Sequence, residues 1–159
     1  MAEDEIQDFA QWINDNPTER WTRANGVRVT RATRDEVRAE MEIRPEHLQS
    51  YGIVHGGVHC ALIETIASIG AAIHAIPEGK SAVGLENHTS FLRAVRSGRL
   101  RAVAKPLTRG RRSHVWEASV YDDRERLVAS GRVRLLILEP DTELAGERVE
   151  IRGGRSGGG

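Results

Sequence analysis

Residues 56–77 read GGVHCALIETIASIGAAIHAIP and carry one formally charged side chain, Glu64, in a chain where 29% of residues are charged. Val58, Leu62, Ile66, Ile69 and Ile73 fall on one stripe of a helical wheel. Gly57, Cys60, Ala61, Glu64, Ala67, Ser68, Ala71 and Ala75 form the other side, mostly small. That pattern predicts a helix enclosed nearly all round by the rest of the fold. A membrane span needs a similar length, about 20 residues. The carboxylate and the two histidines argue against a span, so no membrane partner is expected.

The segments around this helix have a different period. Val27 and Val29 alternate with Arg28 and Thr30, and Val37, Ala39, Met41 and Ile43 alternate with charged residues. Period two with one charged face predicts two half-solvated antiparallel strands over 25–44. Four more strand-like runs follow, at 81–93, 98–107, 113–122 and 127–138, separated by plausible turn residues. Helix, strand pair, buried helix and four strands predict an α+β fold, with a curved antiparallel sheet wrapped around one long helix. Residues 3–16 read as a short amphipathic helix, with Ile6, Phe9, Ala10 and Ile13 at helical spacing, covering an edge of the core. The expected organisation is an N-terminal helical extension at 1–20, a main domain at 21–139 and a flexible Gly-rich tail at 140–159, where six of twenty residues are glycine.

Charge and cysteine content narrow the functional classes. Lys plus Arg and Asp plus Glu are each 23, and a chain with no basic excess is not expected to bind nucleic acid. One cysteine excludes an internal disulfide and a four-cysteine metal site. His55 and His59 have the spacing of a zinc helix, but its Glu and a third ligand are lacking, so neither metal nor cofactor is expected. The N-terminal MAEDEIQDFA is acidic and unlike a secretory signal, which makes a reducing cytoplasm the expected location.

Two features point to chemistry. A carboxylate in an uncharged, enclosed helix must be paired or kept neutral. At the helix entrance, His55-Gly56-Gly57 lets a ligand approach free backbone amides at the positive end of the helix dipole, an arrangement suited to an oxyanion. Glu64 lies eight residues beyond Gly56, about 12 Å along the axis, so one carbonyl cannot touch both. Either the two features serve different purposes, or the entrance of one helix meets the carboxylate of another across a symmetric dimer. Cys60 with His55 or His59 suggests a thiol nucleophile, but a cysteine in an apolar helix reads better as a small buried hydrophobe. The turn Arg109-Gly110-Arg111-Arg112 offers guanidiniums for phosphate or simple solvated charge.

VHGGVHCALIE at 54–64 and VGLENHTSF at 83–91 resemble the hotdog-fold thioesterases of the phenylacetate-degradation and 4-hydroxybenzoyl-CoA type, in the subgroup with a helix-borne catalytic carboxylate. The resemblance runs from about residue 24 to 138. It implies acyl-CoA hydrolysis in a homodimer or homotetramer with sites at the dimer interface. It implies Glu64 as nucleophile or general base, and the Gly56 amide as the group polarising the carbonyl. Gln49 falls where the subgroup places a polar side chain near carbonyl or water. Ser68 matches a hydroxyl orienting carboxylate or substrate, and His55 shapes the helix entrance. Gly57, Asn87, His88 and Thr89 are implied to line or support the pocket. Arg109, Gly110, Arg111, Arg112 and Ser113 occupy the turn that meets coenzyme A, which is richer in Ser and Thr in the subgroup.

Two rivals stand beside hydrolysis. A hotdog hydratase or dehydratase needs an acid–base pair, and no Asp lies between residues 36 and 121. A non-catalytic acyl-CoA-binding dimer needs Glu64 only as a structural group. With 4% aromatic residues the chain shows no obvious stacking pocket, and aryl, naphthoyl and aliphatic acyl groups all remain open.

Overall fold

The computed structural model describes residues 7–16 and 19–150. Its elements in chain order are helices α1 (Ala10–Asp15) and α2 (Arg20–Ala24), strands β1 (Arg28–Ala32) and β2 (Val37–Glu42), and the long helix α3 (Gly56–Ala75). Strands β3 (Ser81–Phe91), β4 (Arg99–Arg109), β5 (Ser113–Tyr121) and β6 (Leu127–Leu138) follow, then two-residue strands β7 (Glu143–Leu144) and β8 (Glu147–Arg148). The six long strands form one antiparallel sheet in the order β1-β2-β4-β5-β6-β3. The expected α+β architecture and all six strands are present.

Alternation decides which side of each strand meets α3. In β2, Val37, Ala39 and Met41 are buried while Arg38 and Glu42 are exposed. In β5, His114, Trp116, Ala118 and Val120 are buried and their neighbours are half-buried. Many of these inward residues are small, which lets the sheet approach the helix closely. Trp116 fills the remaining space. Its indole lies so near Gly70 of α3 that a Cβ at that glycine has no room.

This packing corrects the helical-wheel reading in two respects. Ala67, Gly70 and Ala71 are buried together with Leu62, Ile63, Ile66 and Ile73, so part of the small side faces the sheet. Second, α3 is not enclosed all round. Ala61, Glu64, Thr65, Ser68 and Ala72 are half-buried and line a cavity on the side away from the sheet. Small residues are required where bulk comes from the opposing strands, and a wheel cannot show who supplies the bulk. With its following turn, α3 is long and apolar enough to cross a membrane by composition. Its burial against β3, β4, β5 and β6 makes it the core helix of this fold.

The two sheet edges differ. Asn14 of α1 closes off β1: its Nδ2 donates to the Val29 carbonyl at 2.7 Å, and its Oδ1 accepts from the Val29 amide at 2.9 Å. At the other edge, β3 is 11 residues long, mostly exposed and, among the described residues, hydrogen-bonded to β6 on one side only. The N-terminal helix is shorter than expected, its residues before Gln7 lie outside the described ones, and α2 was not anticipated. Within the segment read as a tail, residues 143–148 make a small hairpin, and those beyond Glu150 lie outside the described residues.

The β5–β6 turn is organised by Asp122. Its carboxylate accepts from the amides of Arg124 and Arg126, each at 3.0 Å, and from the Arg126 guanidinium at 2.6 and 2.8 Å. The guanidinium beside it holds its pKa at about 2, against an ordinary 3.8. A depressed carboxylate stabilises the fold at pH above its unfolded value, and that contribution is lost as pH falls through the folded value. Urea midpoints measured from about pH 5 down to about pH 2 are therefore expected to fall less steeply in Asp122→Asn than in wild type. Identical slopes contradict this role.

Candidate active site

Glu64 sits at the middle of α3, facing the cavity. Its Oε2 accepts from Asn87 Nδ2 at 3.0 Å, and its Oε1 lies 3.4 Å from Ser68 Oγ, one turn along the helix. Asn87 is itself held in place. Its Nδ2 also donates to the Cys60 carbonyl at 3.0 Å, and its Oδ1 accepts from Thr89 Oγ1 at 2.6 Å. Thus β3 reaches across to α3 and fixes one carboxylate oxygen. The second oxygen receives only a long contact from Ser68, which leaves it lone-pair capacity toward the cavity.

Gly84 makes this placement feasible. A Cβ on Gly84 would stand well inside contact distance of Glu64 Oε1. The strand carries a register irregularity between Gly84 and Glu86 at the same point. Only a bare backbone lets the carboxylate lie against the strand. The sequence reading missed Gly84. A glycine inside an otherwise strand-like run is the signal that marks it.

At the helix entrance His55 is the N-cap. Its Nδ1 accepts from the Gly57 amide at 2.8 Å, and its carbonyl accepts from the Val58 amide at 2.9 Å. Gly57 and Val58 are thereby used up. The Gly56 amide has no protein acceptor among the described residues. The entrance thus presents one free donor, at the positive end of a 20-residue helix. The Phe91 ring lies against Gly56, close enough that a Cβ there would be 2.8 Å from it. Behind it His59 is buried, which pushes its pKa below the ordinary value and favours the uncharged ring.

The remaining expected residues fall into separate groups. Gln49 lies in the loop before α3, where its backbone closes a turn with Gly52 and Ile53 and its Oε1 is 3.4 Å from the Tyr51 amide. His88 alternates away from Asn87 and Thr89, onto the opposite face of β3, and is exposed. Arg109 to Ser113 lie at the far end of α3. Arg109 bonds Asp35 at 2.7 Å and the Arg34 carbonyl at 2.9 Å, beside His74. Gly110 and Ser113 close the turn at 2.9 Å. Arg34, Lys80, Arg109 and Arg111 line a basic pocket of about 270 Å³ there. Within one chain, Glu64, the Gly56 amide and this basic turn are therefore spread along α3. Among the described residues, no three His, Cys, Asp or Glu stand together as a metal site.

The cavity above Glu64 has a volume of about 740 Å³. Trp12 and Trp21 line it, although the low aromatic content gave no sign of a stacking wall. The signal lay in position: Phe9, Trp12, Ile13 and Asn16 share one helical face.

An antiparallel sheet wrapped around one long helix is the hotdog fold. Residues 51–129 match the thioesterase superfamily, and the chain belongs to it. It is similar to the Rv1847/MT1895 protein of Mycobacterium tuberculosis, 46% identical over 116 residues covering 72% of this chain and 83% of that protein. The solved structure of that protein superposes with a TM-score of 0.75 at 43% identity, covering 77% of this chain and 99% of that one. The proofreading thioesterase EntH of Cronobacter sakazakii is 36% identical over 113 residues, 71% of this chain and 82% of its own. The 1,4-dihydroxy-2-naphthoyl-CoA hydrolase of Escherichia coli is 36% identical over 104 residues, 65% of this chain and 76% of its own. Membership in this family supports hydrolase activity.

The Gly84 contact yields a specific expectation. Because Glu64 is a flexible side chain, Gly84→Ala is expected to move the carboxylate with little change in melting temperature. A displacement of about 1 Å can lower turnover by roughly 10²-fold. Thioester hydrolysis followed by thiol release checks this, and unaltered turnover in a folded Gly84→Ala protein contradicts it.

Proposed function

We propose that the protein hydrolyses acyl-CoA thioesters to a free acid and coenzyme A, at sites shared by two copies of the chain. The observation that carries this reading is the Glu64 carboxylate, held by Asn87 and Ser68 on one side and open to a largely apolar cavity on the other. A carboxylate so oriented suits a nucleophile or a general base. It attacks the acyl carbon directly, or takes a proton from an attacking water. The thioester oxygen gains negative charge as the new bond forms, and a backbone amide at a helix N-terminus stabilises it. On the direct route water later cleaves the Glu64–acyl anhydride, freeing the acid and the carboxylate; on either route the leaving group is the thiolate of coenzyme A. Its conjugate thiol has a pKa of about 8.5, so no strong general acid is needed.

The amide comes from a second subunit. Gly56 and Glu64 of one chain are about 12 Å apart along the helix, too far for one carbonyl. Strand β3 supports a dimer that solves this. It is a long exposed edge, with Leu85 and Phe91 exposed at 53% and 57%. A bare edge of this kind is suited to pairing with a second copy. An antiparallel pair of helices then sets the partner's Gly56, with Gln49, His55 and Gly57 around it, opposite Glu64. Thr89 supports Asn87, while His88 lies on the outer face toward the edge. Whether dimers pair further into a tetramer does not alter the chemistry.

The basic turn suits the nucleotide end of the substrate. Among the described residues Arg111 and Arg112 have no ion pair, so their guanidiniums are available to phosphate. Arg109 supports the turn through Asp35, and Gly110 and Ser113 set its shape.

Glu64→Ala is expected to lower hydrolysis by at least about 10³-fold across an acyl-CoA panel while leaving the fold intact, the scale seen when a group acting in the transition state is lost. Near-wild-type thiol release by that variant contradicts the proposal. Binding of acyl-CoA by wild type with no thiol released on any substrate favours a non-catalytic carrier instead.

A further inference from the structure

The cavity beside Glu64 has a wall that thioester cleavage alone does not require. It runs along α3 from Ala61 to Ile76 just past the helix end, about 22 Å at the helical rise, with Glu64 toward the start of that run. Opposite α3, the wall is built by the N-terminal segment. Phe9, Trp12, Ile13 and Asn16 recur at three- and four-residue intervals and line the cavity from α1. Trp21 and Thr22 continue the wall from α2.

This segment is fastened in place. Asn14 pairs with both backbone groups of Val29, the Phe9 amide donates to the Ala32 carbonyl at 2.8 Å, and Asp8 accepts from the Ala32 amide at 2.9 Å. Trp12 is thus held on an anchored α1 and Trp21 continues the wall from α2, yet the two remain 53% and 42% exposed. Indoles left this open on a cavity wall gain burial from whatever the cavity takes up.

The lining also states what is excluded. Among the described residues its charged members are Glu19 and Glu64, with no Lys or Arg. Phosphates and anionic acyl groups are disfavoured there, whereas the basic residues gather in the separate pocket at the end of α3. An apolar wall with a few polar groups around one reacting carboxylate suits an uncharged organic moiety.

We infer that the N-terminal segment, through Trp12 and Trp21, forms the acyl-binding wall of this enzyme and selects large, uncharged, hydrophobic acyl groups, long aliphatic or fused-ring aromatic. The inference rests on the proposed thioester hydrolysis at Glu64, from which it takes the identity of the bound group. A small acyl group leaves the indoles uncovered. A dicarboxylic one places its second carboxylate near Glu19 and Glu64.

The full chain is assayed on acetyl-, succinyl-, dodecanoyl- and 2-naphthoyl-CoA. The expected result is a higher kcat/KM for dodecanoyl- or 2-naphthoyl-CoA than for the other two; whichever is higher tells aliphatic from aromatic preference. Trp12→Ala is expected to lower the ratio of bulky-to-acetyl kcat/KM by about tenfold or more, the scale of lost contacts in a hydrophobic pocket. Ala72→Phe, which fills the cavity from α3, is expected to lower the same ratio, so the test survives if one variant fails to fold. An unchanged ratio in the folded variants, or a preference for acetyl- or succinyl-CoA, overturns the inference. Calorimetric titration of Glu64→Gln separates it from the catalytic reading. Dodecanoyl- or 2-naphthoyl-CoA is expected to bind at least about tenfold tighter than coenzyme A alone, an advantage that Trp12→Ala removes. If that difference appears without hydrolysis by wild type, catalysis fails and the acyl wall stands. Equal affinities overturn the wall whatever the enzyme hydrolyses.

Discussion

The fold is organised around one constraint: a carboxylate must sit on the central helix, half out of water, without losing its hydrogen-bond partners. Glu64 meets it through Asn87, a residue 23 positions away on the edge strand. Removing Asn87 leaves the half-buried Glu64 carboxylate with only the long Ser68 contact, which is why the two belong together. Gly84 supplies the space and Thr89 steadies the amide. Strand β3 therefore supports the site in a way unrelated to its ladder with β6, and the same strand is the one left bare at the sheet edge. In the proposed dimer, site geometry and assembly are coupled through a single element.

The two edges of the sheet show the same economy. At β1 the N-terminal helix turns an open edge into a wall for the cavity above α3. At β3 the edge stays open, and a second copy of the chain is the partner that suits it. The Gly56 amide is spared because His55 caps Gly57 instead. On the proposed mechanism one chain holds a base and a donor that cannot serve the same carbonyl, and two chains hold two complete pairs.

Much of this was legible in the sequence because the physical signals are local. The strands announced themselves through alternation, as in Val37-Arg38-Ala39-Glu40-Met41, and α3 through its single charge and its glycine entrance. What escaped depends on partners distant in the chain. Gly70 looks like one more small residue until Trp116 fills the space beside it. Gly84 looks like a weak strand position until Glu64 lies against it. The five residues of α2 are too short for a period, and the tryptophan wall is invisible in a composition with 4% aromatics. Likewise the basic turn read as three equivalent charges, whereas Asp35 engages Arg109 and, among the described residues, Arg111 and Arg112 have no ion pair.

The central claim, that one copy's carboxylate works with the other copy's amide, is tested most directly by subunit complementation. Proline fits the first position of a helix and has no N–H, so Gly56→Pro deletes the donor, at the cost of a shift of the Phe91 ring that a Cβ there meets. Gly56→Pro and Glu64→Ala chains, each inactive alone, are co-expressed with different tags and the mixed dimer is purified. A shared site predicts that the mixed dimer regains about half the wild-type rate, since one of its two sites has both groups intact. A mixed dimer as inactive as its parents contradicts the account.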